Sequence, residues 1–152
     1  MNHSDTAAAY FEQGYSCAQA VLLAFREEAG LTPEQAARLA SPFGGGMARM
    51  REVCGAVSAM LMVVGLADGY EDADAGEEKR ALYARVRALA DAFRGKHGSI
   101  NCAELLKSVP HTDTPAPPEP RTPEYHAAHP CTAFVRTAAE LLEDYLAERA
   151  AR

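Results

Sequence analysis

The chain contains no tryptophan and few β-branched residues, while alanine is abundant. Strands draw on β-branched and aromatic residues, and helices tolerate alanine best, so this composition predicts an all-α fold. An excess of positive charge is also missing. Twenty-one acidic against 15 basic residues give a net charge of −6, and no basic stripe with interleaved aromatics is present. That excludes nucleic acid as an expected partner. The longest apolar run, Val53 to Ala67, is about 15 residues and is interrupted by Gly55, Ser58 and Gly65. A membrane span needs ~20 residues, so the run predicts a buried helix instead. The opening residues Met1-Asn2-His3-Ser4-Asp5 lack a basic segment followed by an apolar one, so no secretory signal is expected. The expected compartment is the cytoplasm, where stable structural disulfides are disfavoured.

Local chemical signatures are equally sparse. There is no C-x-x-C pair of the zinc-ribbon or thioredoxin kind, no C-x-x-C-H haem attachment and no G-x-S-x-G elbow. Gly44-Gly45-Gly46 lacks the G-K-[ST] ending of a phosphate loop. It reads first as a tight turn needing positive φ. Its exposed amides are a weaker candidate for holding an anion or softening the thiol of nearby Cys54.

What the chain does have is 152 residues, enough for one domain that buries a substantial core. Its pattern predicts a helical bundle of about five to six helices. The first spans about Asp5 to Ala29, capped by Ser4 or Asp5, with Tyr10, Phe11, Ala18, Val21, Leu22 and Phe25 on one stripe and Gly30 ending it. A second starts at Thr32-Pro33-Glu34-Gln35 with a capping box and stops before Ser41-Pro42. The third, about Arg51 to Leu66, is apolar nearly all round and is the expected central helix, with Gly55 and Ala59 forming a small-residue groove. A fourth runs from about Glu77 to Arg94 and is broken by Gly95 and Gly98. A short one follows Asn101, and the last spans about Pro130 to Ala147. Residues 109–130 are rich in proline and are expected to form an irregular surface crossover.

Four cysteines, Cys17, Cys54, Cys102 and Cys131, are the candidate site. In a reducing compartment they point to metal, catalysis or redox chemistry, against the plain alternative that a buried cysteine is a small hydrophobe. Cys102 follows Asn101 and Cys131 follows His129-Pro130, each in the first turn of a predicted helix. Unpaired amides and the helix dipole favour an anion there, so both thiols are expected to be activated. Cys17 and Cys54 fall inside predicted helices, facing the core, where no such advantage exists. The histidines His97, His111, His126 and His129 read mostly as solvated loop residues. Only His129, two positions before Cys131, is kept as a candidate base or ligand. The intervals of 37, 48 and 29 positions between the cysteines match no standard metal spacing, so a shared site has to be assembled from separate helices, as bundles do.

Gly14-Tyr15-Ser16-Cys17-Ala18-Gln19-Ala20, Phe43-Gly44-Gly45-Gly46-Met47, Cys54-Gly55-Ala56-Val57-Ser58, and the isolated Cys102 and Cys131 together resemble the C_GCAxxG_C_C family. The likeness extends over nearly the whole chain. Its one departure is Ala59, where the family's C-G-A-x-x-G segment ends in glycine. The proline-rich stretch looks like a variable insert. The resemblance implies redox activity through the four cysteines, and the family's similarity to a domain of multihaem proteins keeps iron–sulfur binding open.

Three readings follow. In the first, Cys102 or Cys131 attacks a disulfide or oxidant and Cys54 or Cys17 resolves it, with an unidentified redox protein or small thiol or disulfide as partner. In the second, the four thiolates hold zinc or an iron–sulfur cluster. In the third, the cysteines are core and the Gly55/Ala59 groove serves a partner or a second copy, giving a homodimer.

Overall fold

A computed structural model describes residues 2–109, 117 and 119–152. His111, and the prolines at 110, 115 and 118, lie outside the described residues. Among the described residues every regular element is a helix, the helices are joined by turns and loops, and the one strand-like pairing is an isolated antiparallel bridge between Val53 and Asn101. The elements are α1 (His3–Glu12), α2 (Cys17–Ala24), α3 (Arg26–Ala29), α4 (Pro33–Ala40), a 3-10 turn (Ser41–Phe43), α5 (Gly55–Asp68), α6 (Gly76–His97), α7 (Cys102–Leu105), α8 (Pro123–Ala128) and α9 (Cys131–Ala150).

The all-α expectation is met, with nine α-helices among the described residues rather than five to six. Most of the difference arises at the N-terminus. The expected single first helix is three helices. Asn2, not Ser4 or Asp5, caps α1, its side chain accepting from the Asp5 amide at 2.7 Å. Gly14 at φ +109° then turns the chain. Ser16 opens α2 with a reciprocal capping box: the Gln19 amide donates to Ser16 Oγ at 3.2 Å and the Ser16 amide to Gln19 Oε1 at 3.1 Å. The box fixes Cys17 as the first residue of a helix rather than an interior one. The same device opens α4 at Thr32 and Gln35, as the sequence predicts.

The third predicted helix begins later than expected. Its first turn is absent because residues 45 to 51 wind left-handed. Gly45, Gly46, Met47, Ala48, Arg49 and Arg51 all have φ between +50° and +68°. Each non-glycine residue in that conformation costs roughly 1–2 kcal/mol. Long backbone bonds hold it: the Ala48 amide to the Pro42 carbonyl at 2.8 Å, Arg51 to Gly45 at 3.2 Å and Glu52 to Gly46 at 2.9 Å. The chain leaves this coil through Val53, which pairs with Asn101, and α5 starts with Cys54 as its N-cap. Helix α6 passes through Gly95, where a break was expected, and ends at Gly98 with φ +90°.

Helix α5 is the central element, with Ala56, Val57, Ala59, Met60, Val63 and Val64 almost wholly buried. It packs chiefly on α2 and also on α9 and α6, while α1 lies along α9 and α2. Burying a valine, leucine or methionine side chain is worth about 1.5–3 kcal/mol, so the shared core of Val21, Leu22, Phe25, Met60, Phe93, Val135 and Leu142 dominates stability. Polar clamps close the rim. His3 bonds Glu143 at 2.6 Å and Glu28 at 2.8 Å and stacks on Phe25 at 4.2 Å. Asp68 accepts from Tyr145 and, at 2.9 Å, from Arg149. No helix among the described residues is long and apolar enough to cross a membrane.

The proline-rich crossover departs from expectation in its second half. Pro123 occupies the first turn of α8, where its missing N–H costs nothing, and Thr122 caps the helix by accepting from the Tyr125 amide at 3.1 Å.

Candidate functional site

All four cysteines stand at helix starts. Cys17 is the first residue of α2, Cys54 the N-cap of α5, Cys102 the first residue of α7 and Cys131 the first residue of α9. All four line one cavity of about 410 Å³. This corrects the expectation that Cys17 and Cys54 are mid-helix. None is in a disulfide; Cys54 and Cys102 are buried, whereas Cys17 and Cys131 are partly exposed.

Two glycines allow the sulfurs to approach. A Cβ on Gly55 would lie 2.7 Å from Cys17 Sγ and 2.8 Å from the Phe43 carbonyl oxygen. A Cβ on Gly46 would lie 2.6 Å from Cys102 Cβ. The expected Gly55/Ala59 groove is thus occupied from within, by the start of α2. Cys54 and Cys102 are held side by side by the short bridge. The Cys54 amide donates to the Ile100 carbonyl at 2.8 Å and the Cys102 amide to the Glu52 carbonyl at 2.6 Å.

The thiols differ in acidity, and not as their sequence positions predict. The Cys54 thiol donates a hydrogen bond to Cys17 Sγ, and the Gly45 and Ala18 amides add to it. With the nearby Arg121 guanidinium, these outweigh burial and lower Cys17 from 9.0 to about 6. Cys54, as the donor and itself buried, is pushed well up; the adjacent amides of Val57 and Ala56 pull the other way without winning. Cys131, expected to be activated by its helix start, is instead raised to about 12. Burial is the main cause, and the nearby Cys17 and Cys102 sulfurs add to it. Arg51 reaches the fourth sulfur, its Nη1 lying 3.7 Å from Cys102 Sγ.

The remaining sequence candidates separate. Gly44 and Gly45 line the cavity, and the Gly45 amide serves Cys17 rather than Cys54 or a free anion. Gly46 is buried behind Cys102. His129 is buried, its ring stacked 3.9 Å from that of Tyr125 and its Nδ1 2.8 Å from the Tyr125 carbonyl oxygen. Tyr125 lines the cavity and His129 does not. His97 and His126, read as solvated loop residues, are helical and packed inward: His97 bonds Thr137 at 2.8 Å, and the His126 ring meets Phe11 edge-on at 5.0 Å.

Sequence reasoning missed Arg51, Arg121 and Tyr125. Arg121 and Tyr125 lie in the stretch read as a surface insert, which instead supplies one wall of the cavity. The Arg121 guanidinium lies 4.6 Å over the Tyr125 ring and 5.2 Å over Phe11. No local pattern announces such a role.

The four cysteines line the cavity, with Cys17 bonded to Cys54 and the Cys17 and Cys102 sulfurs near Cys131. Among the described residues, no three His, Cys, Asp or Glu side chains form a group able to hold a metal ion. Four thiols are an ordinary donor set for zinc or an iron–sulfur cluster, but their placement here does not fit such a site.

A helical chain that gathers four separately encoded thiols around a cavity, two of them in hydrogen-bond contact, defines a cysteine-centred protein. It belongs to the family described as "Putative redox-active protein (C_GCAxxG_C_C)", whose model matches residues 15–145. No curated protein and no solved structure matches it.

Proposed function

We propose that the protein is a dithiol redox protein whose reacting pair is Cys17 and Cys54. The observation that carries this reading is the hydrogen bond between two adjacent sulfurs on the cavity wall, Cys54 donating and Cys17 accepting, which lowers Cys17. At neutral pH Cys17 is a thiolate, the form that attacks a disulfide sulfur. The attacking thiol is therefore Cys17 rather than the Cys102 or Cys131 expected from sequence, while Cys54 keeps the resolving role expected of it. Cys17 Sγ displaces one thiolate from a disulfide and forms a mixed disulfide. Cys54, giving up its proton to the departing thiolate, then attacks Cys17 Sγ, expels the second thiolate and leaves a Cys17–Cys54 bond. The protein loses two electrons and the substrate gains them.

The test is to oxidise the reduced protein with one equivalent of a disulfide and map the bridged peptides by mass spectrometry. The expected product joins Cys17 to Cys54 with Cys102 and Cys131 still free. A different pairing, or four thiols that never change state, contradicts the reading. Stoichiometric metal in protein purified without oxygen would favour ligation instead.

A further inference from the structure

One wall of the cysteine cavity is lightly attached. Residues 120–129 bring Arg121 and Tyr125 into the cavity lining. Among the described residues, each hydrogen bond made by this stretch stays within it: Thr122 to Pro120, Tyr125 and His126 to Thr122, and His129 to Tyr125. What joins the stretch to the body is ring packing. The Arg121 guanidinium lies 5.2 Å over Phe11 of α1, the His126 ring meets Phe11 edge-on at 5.0 Å, and Tyr125 packs on the core. The six-residue helix α8 has little stability of its own, since isolated helices shorter than roughly 12–15 residues are marginal in water.

His126 stands at this joint. It is half-buried, and among the described residues neither Nδ1 nor Nε2 reaches solvent or a hydrogen-bond partner. A neutral ring there leaves one donor and one acceptor unmet. A protonated ring leaves two donors unmet and adds a buried charge, which costs far more. The charged or titratable groups that face it are Arg121, His129, Glu12 at the end of α1, and Tyr125, whose ring is 5.6 Å away. Burial is the main cause that lowers His126 from 6.5. Arg121 and His129 act the same way, and Glu12 opposes them without winning.

We propose that residues 120–129 are an acid-released wall of the cysteine cavity with His126 as its sensor: protonation of His126 undocks the stretch from Phe11, opens the cavity and withdraws the Arg121 guanidinium from Cys17. Undocked and solvated, His126 regains its ordinary 6.5, so the open form holds the proton more tightly than the closed one. Closure is at full strength above pH 6.5 and weakens as pH falls through 6.5 towards the lowered closed-state value. Arg121 is one of the causes that lower Cys17, so its departure raises Cys17 and removes the thiolate more steeply than the titration of Cys17 alone. That consequence for the chemistry rests on the dithiol reading; the opening itself does not.

Hydrogen exchange of the full-length reduced protein at about pH 7.5 and about pH 5.5 tests the opening, each amide rate being divided by that of an unstructured peptide at the same pH. The Tyr125, His126 and His129 amides are expected to lose about threefold or more of their protection on acidification, while amides of α5 keep theirs. H126F, which keeps a ring against Phe11 and takes no proton, should abolish the loss. E12Q, at an exposed position, should enlarge it, because Glu12 favours the charged ring in the closed form. The E12Q comparison decides the question if H126F folds poorly. Protection that does not change with pH, an equal loss in wild type and H126F, or a loss that E12Q does not enlarge overturns the proposal. Oxidation by a disulfide is followed separately by peptide mapping. Acid opening without a Cys17–Cys54 bond upholds the wall and overturns the dithiol reading. A Cys17–Cys54 bond with a wall indifferent to pH does the reverse, and the absence of both overturns both.

Discussion

Cys17 and Cys131 each open a helix and each face the same cavity, yet one thiol is lowered to about 6 and the other raised to about 12. The helix start is common to both, so it does not decide their reactivity. What differs is what reaches the sulfur. Cys17 accepts hydrogen bonds from the Cys54 thiol and from the Gly45 and Ala18 amides. For Cys131, burial and the proximity of two other sulfurs prevail. A helix dipole is worth typically 0.3–1 kcal/mol, whereas each pKa unit is about 1.4 kcal/mol, so direct hydrogen bonds and desolvation outweigh the dipole here.

The comparison is broken most severely at Gly55. Gly55→Ala places a Cβ against Cys17 Sγ and the Phe43 carbonyl, so the start of α2 must move. A loss of about 1–3 kcal/mol is expected from overpacking, read from the denaturation midpoint. The same variant should move the Cys17 alkylation midpoint upward.

The next effect isolates the donor. Cys54→Ala removes the hydrogen bond that is the main cause of the Cys17 shift, so the midpoint should climb from about 6 towards the ordinary 9.0. Iodoacetamide labelling of Cys17 near pH 7 should then slow by about tenfold or more as the thiolate fraction falls. Cys131→Ala, on the other side of the cavity, should leave that midpoint in place. Equal effects from the two substitutions would erase the distinction between them.

The smallest effect contrasts the site with the rim. Burial draws His3 down, but its bonds to Glu143 and Glu28 outweigh this and hold it above 6.5. Its contribution is therefore complete below pH 6.5 and fades as pH rises through the folded value. Glu143, lowered by the same bond, sets the acid limit below its ordinary 4.5. His3→Ala should cost under about 1 kcal/mol of this pairing near pH 6 and less near pH 9, as partly exposed pairs do. A gap between wild type and variant that widens with pH contradicts the assignment.

Much of this was legible in the residues. The helical class, the capping boxes, the central apolar helix and the four cysteines all rest on local patterns. Even the start of α2 was written in Ser16-Cys17-Ala18-Gln19, but an apolar stripe running from Tyr10 to Phe25 masks the break at Gly14. The start of α5 was hidden differently. Apolar periodicity gives no sign that residues 45–51 wind left-handed, and four of the six positive-φ positions there are not glycine. The acidity order was illegible because it depends on which donors meet a sulfur across the fold. Arg121 and Tyr125 are more than 100 positions from Cys17, and only packing brings them to the same cavity.

The central claim is that Cys17 is the reactive thiolate of the four. It is tested most directly by labelling the reduced, folded protein with iodoacetamide across pH and resolving each cysteine by mass spectrometry. The account predicts that Cys17 labels first with a midpoint at about 6, while Cys131 resists labelling until far above neutrality, in line with its rise to about 12. Cys131 labelling ahead of Cys17, or all four titrating together near the ordinary 9.0, would contradict it.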